Sequence, residues 1–84
     1  MRFEITERTM IAKLLESGIV TEVSGKVEIG GLMVGWTLYS RRDYFTDGMR
    51  YVAGVGYELE SFDSVRDAFD ALEDMIQHKR EEAA

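Results

Sequence analysis

The fold is decided by residues 32–60, LMVGWTLYSRRDYFTDGMRYVAGVGYELE. Apolar and polar residues alternate along most of this stretch, and a period of two is typical of a β-strand with one buried face. Asp47-Gly48 is a strong signal for a two-residue hairpin loop, because both central residues of a type I′ turn need a positive φ. We therefore predict a long β-hairpin that turns at this dipeptide.

A turn at this position places Thr46 opposite Met49 and so fixes the cross-strand register. The largely apolar face then contains the pairs Tyr44–Tyr51, Arg42–Ala53, Ser40–Val55, Leu38–Tyr57 and Trp36–Leu59. The other face contains Phe45–Arg50, Arg41–Gly54, Tyr39–Gly56 and Thr37–Glu58. A slip of one residue would place Trp36 opposite a glutamate and mix the two faces. In this register Gly54 and Gly56 leave room for the long side chains opposite them.

A helix is predicted on each side of the strands. The first starts near Thr6, a good N-cap, and stops at Gly18, which can take the left-handed conformation after a helix end. The second begins at Ser64, where Ser64-Val65-Arg66-Asp67 resembles a capping box. Apolar stripes at helical spacing are formed by Met10, Ile11, Leu14 and Leu15 in the first helix and by Val65, Ala68, Phe69, Leu72, Met75 and Ile76 in the second.

The remaining segments complete an α+β fold class. Residues 19–29 have a period of two around Ser24-Gly25, and either two short strands or one bent strand fits them. Residues 1–5 read as a short strand or a hydrophobic lead-in, and residues 81–84 are expected to fray. The order is helix, antiparallel meander of three or four strands, helix. We predict a single two-layer domain, residues 1–84, with both helices on one face of the sheet.

Composition limits the classes of partner. Sixteen acids and ten bases give a net charge of −6, a field that repels nucleic acids and anionic membranes and attracts basic protein surfaces. The chain has no cysteine, so disulfides and thiolate metal sites are excluded. Its apolar runs are too short for a membrane span, and the N-terminus lacks the apolar core of a secretory signal. The expected location is the cytoplasm of a bacterial or archaeal host.

No catalytic pattern stands out. His78 is the only histidine, and it falls in the last turn of the second helix, where a cation also suits the helix dipole. Glu73 and Asp74 are adjacent on a face expected to be solvated, where nothing would raise a carboxyl pKa for acid–base work. The acids of this helix also lack the loop of a calcium site. We therefore expect no enzyme activity, no metal site and no cofactor.

Two surfaces are candidates for binding. A row of acids follows the second helix at axial spacings of roughly 4.5–6 Å, near the spacing of phosphates on a nucleic-acid strand. All charged residues within 67–77 are acidic, whereas Lys or Arg often alternates with acids on a solvated face. The row comprises Asp63, Asp67, Asp70, Asp74 and Glu81, and the candidate partner contacts are Asp63, Asp67, Asp70, Glu73 and Asp74. The second surface is an aromatic and basic patch at the hairpin tip, with Tyr39, Arg41, Phe45 and Arg50 as candidate contacts.

Two resemblances bear on function. The segment 56–68, GYELESFDSVRDA, is similar to the end of the three-strand-plus-helix units of AP2 and integrase arm-binding domains. Those domains are basic and read DNA with their sheets, whereas this chain is acidic, so DNA reading is not implied. As a small, acidic, cysteine-free chain with a helix–meander–helix order, it also resembles phage anti-CRISPR and other anti-defence proteins. Such proteins act by occupying a defence complex, often at its nucleic-acid or protospacer-motif site.

Three hypotheses follow. The first is a non-enzymatic inhibitor or regulator that occupies a basic surface of a protein partner, such as a nucleic-acid-handling or CRISPR effector complex. The second is a small homo-oligomeric module, a homodimer for example, joined through an open sheet edge or through the Tyr39/Phe45 face. The third is a sheet-based nucleic-acid binder that uses Arg41 and Arg50.

Overall fold

A computed structural model describes residues 3–84 as a four-stranded antiparallel sheet with one helix before it and one after it. The elements are α1 (Ile5–Ser17), β1 (Glu22–Ile29), β2 (Leu32–Asp43), β3 (Gly48–Val55), β4 (Glu58–Phe62) and α2 (Val65–Ala83). The strands lie in the order β1-β2-β3-β4, so the sheet is a meander. This confirms the α+β class and the element order. Residues 19–29 supply one strand, β1, and the first two residues of the expected lead-in lie outside the described residues.

The hairpin loop predicted at Asp47-Gly48 is wrong. β2 and β3 are joined by the four residues 44–47, and Asp43 pairs with Gly48. The Asp43 carboxylate accepts a hydrogen bond from the Phe45 N–H at 3.0 Å, and the Thr46 hydroxyl accepts one from the Gly48 N–H at 3.3 Å. These side chains stabilise a longer loop, in which Asp47 adopts a φ of 56°.

The cross-strand register therefore differs from the predicted one by four residues. Trp36 pairs with Val55, and Leu38 pairs with Ala53. Because side chains alternate with a period of two, an even shift leaves each residue of β2 and β3 on its predicted face. The apolar face of these two strands is therefore retained although every pair in it has changed.

The chain also turns at residues 56–57, where the prediction has a continuous strand. Gly56 has a φ of 61°, and Val55 pairs with Glu58 across the turn. Leu59 consequently belongs to β4 and lies opposite Gly54, on the face of the sheet that does not carry Trp36. A Cβ at Gly54 would collide with the Leu59 side chain, so this glycine makes room for Leu59 and not for Arg41.

The predicted stripe of α2 supplies much of the core. Val65, Ala68, Phe69, Leu72 and Ile76 are buried and Met75 is partly buried, packed in one cluster with Trp36, Leu38, Ala53 and Val55. Ser64 is the N-cap, and its hydroxyl accepts a hydrogen bond from the Asp67 N–H at 3.1 Å. The helix continues to Ala83, where the sequence predicts fraying from Glu81. The predicted start and apolar face of α2 are confirmed.

α1 is attached more loosely. It begins at Ile5 with Glu4 as N-cap, not at Thr6, and it ends at Gly18 as predicted. Leu15 is its only buried residue, whereas Met10 is 57% exposed. Leu15 belongs to the same hydrophobic cluster as α2 and the sheet. That both helices occupy one face of the sheet stays a prediction.

Tyr51 of β3 belongs to this cluster as well. Burial raises the pKa of the Tyr51 phenol above its usual value, and the nearby Glu16 carboxylate raises it further. Both effects favour the protonated phenol.

Candidate functional site

The acids of α2 do not form one surface, because the helix has a different neighbour on each side. On one side Arg8 of α1 forms ion pairs with Glu73 at 2.9 Å and with Asp70 at 2.8 Å. On the other side Asp74 lines a groove together with Glu58 and Glu60 of β4. The predicted row is thus divided between an interhelical cluster and a surface shared with β4.

Glu73 is buried, with 5% of its surface exposed, so its predicted place on a solvated face is wrong. Its carboxylate accepts hydrogen bonds from the Arg8 guanidinium at 2.9 Å and from the Phe3 N–H at 3.0 Å. The Phe3 ring packs edge-on against Trp36 and Phe69, with ring centroids 5.2 Å and 5.3 Å away. Glu73 therefore fastens residue 3 and α1 to α2. It is not available to a partner.

Two acids of the row, Asp70 and Asp63, already form ion pairs with arginines of the same chain. The Arg8 guanidinium that binds Glu73 also pairs with Asp70, whose side chain is 54% exposed. Asp63 pairs with Arg50, a residue of the predicted hairpin patch. Arg50 also donates a hydrogen bond to the Ser61 hydroxyl at 3.1 Å. Within residues 3–84, Asp67 and Asp74 are the members of the candidate set that have no ion-pair partner.

An acidic groove lies between β4 and α2. It has a volume of about 300 Å³ and is lined by Glu58, Glu60, Ala71, Asp74, Met75 and His78. Three carboxylates thus face one open space. Lys79 contacts Glu58 at 3.2 Å, and His78 contacts Glu82 at 2.8 Å.

The predicted acidic site does not include Glu58 and Glu60. The alternation Glu58-Leu59-Glu60 is a signal that could have identified them, since it places both carboxylates on one face of a strand. The predicted hairpin register hides this signal because it continues β3 through the segment and places Glu58 opposite Thr37, on the face of the sheet that does not carry Trp36. In the structure the segment forms the edge strand β4, so both acids are exposed.

The predicted hairpin patch is also divided. Tyr39, Arg41 and Arg50 lie on the face of the sheet that does not carry Trp36, because Tyr39 pairs with Val52 and Arg41 pairs with Arg50. Phe45 lies in the loop and is fully exposed beside Tyr44, which is 90% exposed. The candidate residues of this patch thus fall into a sheet-face group and a loop group.

The described residues 3–84 contain no group of three or more His, Asp or Glu side chains arranged to hold a metal ion. None of the helices in that range is long and apolar enough to cross a membrane. No protein-family model, curated protein or solved structure matches the chain significantly.

Proposed function

We propose that this chain is a non-enzymatic protein-binding domain that inhibits or regulates a partner by occupying a basic surface. The observation that carries the proposal is the convergence of Glu58, Glu60 and Asp74 on one open groove. Asp67 lies seven residues before Asp74, two helical turns earlier and on the same side of α2. We group these four carboxylates, Glu58, Glu60, Asp67 and Asp74, as the acidic surface of α2 and β4.

The electrostatics favour a basic partner. The net charge of −6 steers cationic surfaces toward the protein, and the acidic surface then aligns them. Lys79 is the one basic side chain within ion-pair distance of these four acids among the described residues. Much of their charge thus remains for an incoming Lys or Arg.

The edge strand offers a second source of affinity. No strand of residues 3–84 pairs with the outer side of β4, so its outward N–H and C=O groups can bind an added strand. A basic extended segment on that edge would bring every second side chain to Glu58 and Glu60. Tyr57 is fully exposed in the adjoining turn, where an aromatic ring can anchor the contact.

The partner class we propose is a complex that handles nucleic acid. Such complexes present basic channels, and an acidic surface competes there with phosphates. The resemblance in size, charge and element order to phage anti-CRISPR proteins supports this choice. Direct binding of nucleic acid by the acidic surface itself is disfavoured by charge.

The test compares two variants with equal change of charge. E60K/D67K/D74K reverses three of the four acids of the acidic surface, and E4K/E7K/E16K reverses three exposed acids in and next to α1. Each immobilised protein is incubated with bacterial lysate at low salt and eluted with salt, and the captured proteins are identified by mass spectrometry. We expect a protein that binds wild type and the control but not E60K/D67K/D74K.

The captured partner is then purified, and its affinity for the three proteins and for its own nucleic acid is measured. Displacement of that nucleic acid by wild type and the control, but not by the surface variant, supports the proposal. Equal binding of both variants refutes it. Thermal unfolding followed by circular dichroism verifies that each variant is folded.

A further inference from the structure

The outer side of β1 forms the second edge of the sheet. β1 and β2 are joined by Gly30 and Gly31, whose φ values are 59° and 83°, as in a type I′ turn. In such a hairpin the closing pair, Ile29 and Leu32, exchanges both backbone hydrogen bonds. Backbone groups then alternate in direction along the strand, so the even-numbered residues of β1 point their N–H and C=O groups away from β2.

Two hydrogen bonds agree with this direction. The Thr21 carbonyl, at an odd position, accepts from the Ser40 N–H of β2 at 3.0 Å. The Glu28 carbonyl, at an even position, accepts from the Nε of Arg80 on α2 at 3.1 Å. Arg80 therefore covers the Glu28 end of the edge. The stretch from Glu22 to Lys26 has no strand partner on this side among the described residues.

The charges along this stretch are self-complementary. Glu22 and Lys26 are both exposed, and at a separation of four residues their side chains lie on the same face of the sheet. The Thr37 hydroxyl donates a hydrogen bond to Glu22 at 3.0 Å and holds its carboxylate over the sheet. Lys26 has no carboxylate within ion-pair distance in residues 3–84. A second copy would supply one.

One antiparallel register satisfies both the backbone and the charges. When Ser24 lies opposite Ser24 of a second copy, Glu22 of each copy faces Lys26 of the other. A shift of two residues in one direction places Glu22 opposite Glu28, whose carbonyl Arg80 already holds. A shift in the other direction places Lys26 opposite Val20, before the strand begins. A shift by an odd number of residues would place a residue whose backbone N–H and C=O groups point outward opposite one whose groups point toward β2. No hydrogen-bond ladder between the two copies could then form.

We propose that β1 pairs with β1 of a second copy, which makes a continuous eight-stranded sheet with its two-fold axis at Ser24. β4 is a poorer site for a second copy, because Glu58 and Glu60 would meet their own equivalents across a two-fold axis. The β1 interface does not depend on the acidic surface, which lies at the opposite edge of the sheet. The paired segment is short, so we expect association in the micromolar to millimolar range.

The test uses two single charge reversals, E22K and K26E. Either change leaves two like charges per copy on this edge, so each variant faces repulsion in two cross-strand pairs. We expect about 30-fold weaker self-association for each variant by sedimentation equilibrium. An equimolar mixture of the two restores opposite charges in both pairs and should associate like wild type. Because the mixture can associate only if both variants are folded, it also excludes misfolding.

Two further variants complete the test. K13E has the same net charge as K26E but changes an exposed residue of α1, and it should associate like wild type. S24P removes an outward N–H that no strand of the same chain uses, and it should be monomeric with an unchanged circular dichroism spectrum. Three results would each overturn the proposal: a wild type that is monomeric at millimolar concentration, single variants that associate like wild type, or a mixture no better than its components.

Discussion

Replacement of Arg8 by alanine should remove a large part of the stability of the fold. Glu73 is 5% exposed, and in R8A its carboxylate would keep the Phe3 N–H as its one remaining hydrogen-bond donor among the described residues. Loss of one partner of a fully buried ion pair costs about 3–5 kcal/mol. The Arg8 side chain is 25% exposed, so water can replace part of the guanidinium. We therefore expect a loss of about 2–3 kcal/mol.

That loss is large for a chain of this size. The 84 residues predict a total free energy of unfolding of roughly 4–13 kcal/mol. The contact of Arg8 with Asp70 adds little to the effect, because the Asp70 side chain is 54% exposed and its charge is screened by water. Most of the loss comes from the uncompensated charge of Glu73.

Urea unfolding followed by fluorescence measures this loss. Trp36 is the only tryptophan, and Phe3 packs against it, so its emission also reports release of the N-terminal segment. R66A is the matched control, because Arg66 is exposed and forms no ion pair with a carboxylate in residues 3–84. It should change the free energy of unfolding by less than about 0.5 kcal/mol.

A double variant separates the charge effect from packing. R8M/E73L replaces both partners by apolar side chains, and it should recover most of the stability that R8A loses. If R8A loses no more than R66A, Glu73 is solvated in the native state and the proposed role of this cluster is wrong. A double variant as unstable as R8A would mean that the loss arises from packing.

Two other predictions concern the sheet. A Cβ at Gly25 would lie 2.8 Å from the Trp36 ring, so G25A should lower the free energy of unfolding by about 1–3 kcal/mol. G35A is the control, because a Cβ at Gly35 has nothing within 4 Å, and it should not lower the stability in this way. Equal urea midpoints for the two variants would contradict this prediction. Because the pKa of Tyr51 is raised in the folded state, the unfolded chain loses the phenol proton first, and stability should fall as the pH rises from about 10 through the raised pKa. In urea titrations at increasing pH, the free energy of unfolding of Y51F should decrease less than that of wild type. The control Y57F changes an exposed tyrosine and should decrease as wild type does. A decrease in Y51F equal to that of wild type would refute the assignment to Tyr51.

Local signals in the sequence account for the parts of the fold that were predicted correctly. The Ser64 cap, the stop at Gly18 and the stripe of α2 depend on residues within one or two helical turns. The apolar face of β2 and β3 depends only on alternation. A register shift by an even number of residues leaves each side chain on the same face of the sheet. The apolar face was therefore predicted correctly even though the hairpin loop was not.

The parts of the structure that were not predicted correctly depend on contacts between residues distant in the sequence. Arg8 and Glu73 are 65 positions apart. Helical spacing places Glu73 at the margin of the apolar stripe, between Phe69 and Ile76, but it does not reveal the Arg8 partner that allows a carboxylate to be buried there. The hairpin register depends on which residues close the loop, and the Asp43 and Thr46 side chains favour a four-residue loop over the Asp47-Gly48 turn. Without the turn at residues 56–57, the predicted strand places Glu58 on the face opposite the core. In the structure Glu58 and Glu60 pair with Val55 and Ala53 on the core face, next to α2.

The two edges of the sheet carry different charge patterns, and the difference bears on both proposals. An exposed edge strand can recruit further strands, and two such edges on one sheet would permit open-ended assembly. Glu22 and Lys26 make β1 complementary to its own copy, whereas Glu58 and Glu60 make β4 repel its own copy. Association through β1 therefore closes at two copies. The acidic surfaces then lie at the two ends of one sheet, where a partner with two basic sites could bind both at once and gain avidity.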